Sequence, residues 1–279
     1  SATLSNKCLL IADHKSVDKQ IHIFNKNDFS YLTSIGNFGE GPEEITVMGC
    51  LAIDEAHHQL YVSDHAKQKI FSYDMDSVMV DSLYKPQVKT AMNETLFPSE
   101  YQYINDTLSI AVLIKPTSTS TFNQFLGRWN MNTGEMIPMK YTHPDIQKKR
   151  ITFAASEKAG IYVECYTRHD LMTICSLDGE LLYNIYGPDW DGGNGNKLQS
   201  FGTVMIGNDK IFVSYCGEDY ARDSFPTKIL VFDLEGNYLK TLETGYKISD
   251  CCYDSFNNRI ILSLNDVVQF AYLDIDGII

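Results

Sequence analysis

The sequence predicts an all-β chain, a single β-propeller domain of six four-stranded antiparallel blades spanning residues 1–279. Three observations lead there. A unit of about fifty residues repeats along the chain, one glycine turn recurs at the same place in that unit, and no helical period spans a full-length segment. A lone four-stranded meander cannot bury both of its faces, whereas six arranged radially close without long exposed edges.

The clearest unit reads Leu51-Ala-Ile-Asp54, Gln59-Leu-Tyr-Val-Ser-Asp64, Lys69-Ile-Phe-Ser-Tyr-Asp74 and Val80-Asp-Ser-Leu-Tyr84. Each run is rich in β-branched and aromatic residues with turn formers between, so these are strands a to d of one blade. Strand a begins again near 101, 152, 202 and 249, giving steps of 50, 51, 50 and 47 from residue 51. Strand b recurs as Leu108-Ser-Ile-Ala-Val-Leu113, Gly160-Ile-Tyr-Val-Glu164, Lys210-Ile-Phe-Val-Ser214 and Arg259-Ile-Ile-Leu-Ser263. The c–d hairpins carry Asn132-Thr-Gly134, Leu177-Asp-Gly179, Leu234-Glu-Gly236 and Ile275-Asp-Gly277, where a late glycine supplies the left-handed residue the turn needs.

Counting back one period places strand a of blade one at or before residue 1, with b, c and d at 8–12, 20–24 and 29–35. Residues 144–150 form a short turn at most. The last unit reaches Ile279 where its strand d should begin, so the closure of the ring is the open point of the prediction.

Composition narrows the function classes. With 36 acidic and 23 basic residues the net charge is -13, which repels phosphate backbones and anionic lipid and argues against nucleic-acid binding. There is no apolar run of membrane-spanning length, and residues 1–4 lack the layout of a signal peptide. The seven cysteines are odd in number and most lie in apolar strand-like runs, which predicts buried free thiols and no zinc site. Adjacent Cys251 and Cys252 should point to opposite sheet faces.

Propeller topology sends the b–c and d–a loops to one end and the a–b and c–d turns to the other. The long segments, 36–46, 84–100, 115–124, 141–149, 187–200 and 217–226, all fall on the first end, which is where a site is expected. Glu40, Glu43 and Glu44 stand there in a glycine-proline loop as a shelf for a cation or sugar hydroxyl, although turn geometry alone explains the glycine spacing. Asp13-His14 and Asp64-His65 end strand b in adjacent blades; His14 and His65 are candidate bases or ligands, or exposed neighbours of a turn-capping aspartate. Blade four adds Tyr166 and Arg168, and blade five adds Arg222; an arginine beside aromatics can clamp a carboxylate or stack on a sugar. Asp189-Trp-Asp191-Gly-Gly-Asn194-Gly-Asn196 departs from a calcium loop in its ligand positions and lacks the closing glutamate, so Trp190 is read as a stacking residue. Nucleophile-elbow, zinc-protease and phosphate-loop motifs are absent.

The segment Ile35-Gly-Asn-Phe-Gly39-Glu-Gly41-Pro42-Glu-Glu44-Ile45 resembles the Gly-x-Gly-Pro-x-Glu signature of the TolB-like six-bladed propeller lipoproteins of gut Bacteroidetes. The resemblance implies export, a lipid anchor on a cysteine upstream of residue 1 and a role in the periplasm or on the outer membrane. A weaker likeness, in Leu60-Tyr-Val-Ser-Asp64 and Lys69-Ile-Phe-Ser-Tyr-Asp74, is to NHL-type repeats. The leading expectation is a monomeric, non-catalytic propeller that binds a glycan, peptide or envelope protein and needs no cofactor. The rival is a metal-dependent hydrolase or lyase of the lactonase or NHL-lyase kind, with Glu40, Glu44, His14 and His65 holding calcium or zinc; a scaffold within a larger envelope complex is a third.

Overall fold

Alternating apolar residues pair into antiparallel ladders wherever turn formers bring neighbouring runs together, and the described residues of this chain do so in every repeat. A computed structural model describes residues 1–195, 198–219 and 224–279. It divides into two compact units, 1–138 and 139–279. In the first, β1 (Ala2–Leu4), β2 (Cys8–Ala12), β3 (Lys19–Asn25) and β4 (Tyr31–Asn37) form blade one. Blade two comprises β5 (Met48–Asp54), β6 (Gln59–Asp64), β7 (Lys69–Asp74), a short helix α1 (Met75–Val80) and β8 (Gln87–Ala91). Blade three is β9 (Phe97–Asn105), β10 (Leu108–Pro116), β11 (Phe122–Trp129) and β12 (Met136–Pro138).

The second unit repeats the plan. Blade four is β13 (Ile151–Ser156), β14 (Ile161–Tyr166), β15 (Leu171–Ser176) and β16 (Leu181–Tyr186). Blade five is β17 (Leu198–Gly207), β18 (Lys210–Asp219), β19 (Lys228–Asp233) and β20 (Tyr238–Glu243). Blade six stops at three strands, β21 (Ile248–Asp254), β22 (Arg259–Leu264) and β23 (Phe270–Asp274). The fold class is thus the predicted one, an all-β chain of six antiparallel blades.

Apolar side chains on both faces of the middle strands make the core. Leu10, Ile21, Ile23, Leu60, Val62 and Phe71 interlock between blades one and two, and Val163, Met172, Ile174, Ile211 and Val213 between blades four and five. Each such burial contributes about 1.5–3 kcal/mol. The recurring turn glycines take the left-handed conformation, with φ of +79° at Gly134, +90° at Gly179, +83° at Gly236 and +72° at Gly277. All seven cysteines are free thiols; Cys251 joins the core between blades five and six, and Cys252, on the other face, is half-buried.

Two expectations are corrected. Residues 80–84 are not strand d of blade two: Asp74 caps α1, its carboxylate accepting the Ser77 amide at 2.7 Å, and the fourth strand is β8. Residues 84–100 are accordingly not a loop, since they hold β8 and the start of β9. At the other end of the first unit, blade one has its own three-residue strand a, β1, in register with β2 from Ala2↔Ile11 to Leu4↔Leu9. Among the described residues no helix is long and apolar enough to cross a membrane.

Candidate functional site

The glutamate loop of the first unit is built around its own glycines. The Glu44 carboxylate turns back and accepts the Gly41 amide at 2.8 Å. A Cβ on Gly39 would lie 1.9 Å from Glu44 Oε2, so glycine is required there for the carboxylate to fit. Thr46 Oγ1 donates to the Gly39 carbonyl at 2.7 Å, and the Lys67 ammonium donates to the Glu44 carbonyl at 2.8 Å. Beneath lies Asp64, fully buried, whose carboxylate accepts the amides of Thr46, Val47, Ala66 and Lys67. Glu44 is therefore committed to the turn. Glu40 is exposed, and half-buried Glu43 meets Lys85 at 3.1 Å across a solvated pair.

The two histidines of this unit differ. His14 is exposed beside its turn. His65 is half-buried, its ring against Gly49, where a Cβ would sit 2.3 Å from Nε2, and edge-on to Phe97 at 5.9 Å. Burial holds its pKa below the ordinary imidazole range despite the adjacent Asp64 carboxylate.

Blade four gathers a different constellation. Trp190, half-buried, packs on Tyr186 at 5.0 Å, His143 at 5.3 Å and His169 at 6.2 Å between ring centres. His143 Nδ1 accepts the Asp145 amide at 3.2 Å, so the proton of the neutral ring sits on Nε2, which donates to Tyr186 Oη at 2.9 Å. These side chains come from the end of β16 and from segments 139–150, 167–170 and 187–195, and form an aromatic ledge with Tyr186 on its open side, 49% exposed.

Asp170 fixes the ledge from below. It is buried, and accepts the Asp189 amide at 2.9 Å and the Tyr215 hydroxyl at 3.3 Å. Burial lifts its carboxyl above the usual carboxylate range, opposed by those two hydrogen bonds. The Gly187 amide reaches the Asp170 carbonyl at 2.8 Å, and a Cβ on Gly187 would lie 2.0 Å from the carboxylate. Gly193 lets the backbone pass Asp145, where a Cβ would meet the Asp145 carbonyl at 2.4 Å. Of the glycines that suggested an ion loop, Gly193 is explained by this close approach, and Gly192 and Gly195 by left-handed backbone, with φ of +74° and +75°.

Of the residues singled out in the sequence, Trp190 is at this ledge, and half-buried Arg168 precedes its His169 in the chain. Tyr166 is beneath the surface, 1% exposed, with its ring 6.0 Å from His169 and its hydroxyl donating to Glu164 Oε2 at 3.1 Å. The other Glu164 oxygen pairs with buried Lys149 at 2.8 Å. Arg222 lies outside the described residues. His143 and Tyr186 were not singled out. The only signal for His143 was its place in a long segment, because its aromatic partners, Tyr186 and Trp190, stand more than forty residues away. Among the described residues, no three His, Cys, Asp or Glu side chains converge to hold a metal ion.

Residues 2–126 match the model of the DUF5128 family, a six-bladed β-propeller. The fold is a six-bladed β-propeller. Solved structures agree over 98% of the chain: a protein of unknown function from Bacteroides caccae is 13% identical, matched over 92% of its length, with a TM-score of 0.56. A DUF4221 member from Bacteroides vulgatus is 10% identical over 92% of its length, with a TM-score of 0.64. The third is the extracellular domain of a B. thetaiotaomicron protein assigned as a one-component system, 13% identical, TM-score 0.60, of which the chain spans 33%. Such identities bear on fold alone. No curated protein matches the sequence.

Proposed function

We propose that this propeller is a non-catalytic binding module of the bacterial cell envelope and that it holds a glycan on the blade-four ledge. The observation that carries the reading is the preset Trp190. Its ring is packed on Tyr186 and His143, and its loop is tied by the Asp170 carboxylate before any ligand arrives. A preordered aromatic face costs little further entropy on binding. The C–H faces of a pyranose stack on such rings, and its hydroxyls find acceptors in the exposed carboxylates of Asp145 and Asp189. Export is supported by the resemblance of residues 35–45 to the TolB-like lipoproteins and by the likeness to an extracellular Bacteroides domain.

The test is a glycan array followed by calorimetry with Trp190→Ala and Tyr186→Ala. Each substitution is expected to weaken the array-selected glycan at least about tenfold, roughly 1.4 kcal/mol. Binding of peptides in place of glycans would replace the ligand class, and unchanged affinity in both variants would remove the site from blade four.

A further inference from the structure

Blade two breaks the repeat in one place, and a second cleft opens there. In blades four and five, strand c passes to strand d through four residues, 177–180 and 234–237, whereas in blade two residues 75–86 intervene and include α1. The helix stands on the end of the a–b and c–d turns, opposite to the long loops. Between it and the turns of blade one lies a cleft of about 440 Å³, within the ~300–1,000 Å³ range of small-molecule sites. Its apolar lining is exposed Leu32 together with Cys8, Ile53 and the thioethers of Met75 and Met79, which are buried or half-buried on the edge of the core. Both methionines lie on or beside the inserted helix, so the departure from the repeat brings in the adaptable part of the wall.

We propose that this cleft binds a small aromatic cation. Thioethers conform to irregular shapes and make favourable contacts with the edges of aromatic rings, so two of them in one lining suit a flat apolar body. Charge sets the other end of the ligand. Two exposed carboxylates border the cleft, Glu55 and Asp76, against one ammonium, Lys7. Each carboxylate is anchored through one oxygen, Glu55 by the Asn6 amide at 2.7 Å and Asp76 by His58 Nδ1 at 3.0 Å, which leaves its second oxygen for an incoming donor. The net charge of -13 adds a field that gathers cations and repels anions of the same shape.

The experiment uses the full chain with its methionine methyl groups labelled with carbon-13. The signals of Met75 and Met79 are assigned by Met→Leu substitution, and the protein is titrated with 2-naphthylmethylamine and, in parallel, 2-naphthoate. Saturable shifts of Met75 and Met79 by the amine are expected, with the carboxylate at least tenfold weaker. The pair Glu55→Gln and Asp76→Asn should weaken the amine severalfold without moving the thermal midpoint. Met79→Trp, which fills the cleft, should abolish the shift of Met75. Two results overturn the proposal: titration that leaves both signals in place, and equal binding of the two naphthalenes. This cleft and the blade-four ledge are in different units, so neither result depends on the glycan reading.

Discussion

Asp64 shows how far one side chain can organise a propeller loop. Its buried carboxylate accepts four backbone amides, those of Thr46, Val47, Ala66 and Lys67, and meets the Lys67 ammonium at 3.3 Å. Burial raises its pKa, but the amides of Thr46, Lys67 and Val47 outweigh it, and the carboxyl titrates below its ordinary value. A depressed folded pKa means that the stabilisation is complete above the unfolded value, about 3.9, and is lost as pH falls through the folded one. Asp64→Ala should therefore cost about 3–5 kcal/mol at pH 7, because it removes the shared acceptor of four backbone amides and the counter-charge of Lys67, and less below pH 3. Urea unfolding at the two pH values measures it; an equal cost at both would contradict the assignment. The sequence shows Asp64 closing strand b, which makes a turn cap readable. Its partners at Thr46 and Val47 are not readable, since they are set by how blade one enters blade two.

At the level of elements, the c–d turns supply a graded comparison. Gly134 and Gly236 both have left-handed backbone, but an added Cβ at Gly134 meets nothing within 4 Å, whereas at Gly236 it lies 2.5 Å from Ile185 Cδ1. Gly134→Ala should cost about 1–2 kcal/mol from strain alone. Gly236→Ala should cost about 1–3 kcal/mol more, because Ile185 must move in a packed face. Thermal melts of the two variants decide this, and equal costs would show that the contact relaxes freely. These glycines were legible because a turn is a local object. Strand d of blade two was misread for the same reason. Val80-Asp-Ser-Leu-Tyr84 has the β-branched and aromatic content of a strand, yet Asp74, whose side chain accepts the Ser77 amide, starts a helix that runs to Val80 and displaces the fourth strand to β8. The ledge was half legible: Trp190 stood out as an aromatic in a long loop, while His143 and Tyr186 reach it only through the fold.

Across the whole molecule, the fifty-residue period made six blades legible, and the ends are where the repeat thins. Blade six has no fourth strand among the described residues, so β23 is laddered to β22 alone, whereas β7, β15 and β19 each lie between two neighbours. Backbone amides without a ladder partner open at little cost. The outward amides of β23 should exchange with solvent at least about a hundredfold faster than those of β15, by hydrogen–deuterium exchange. Equal protection would mean that another strand covers this edge. The ledge itself can be read by light, since the chain has two tryptophans and Trp129 is buried, 2% exposed, in blade three. Titrating Trp129→Phe, which leaves Trp190 as the sole emitter, with the array-selected glycan tests the binding site most directly. A saturable change in Trp190 emission with the calorimetric affinity is the predicted result; emission that stays constant while calorimetry shows saturation would place the glycan elsewhere.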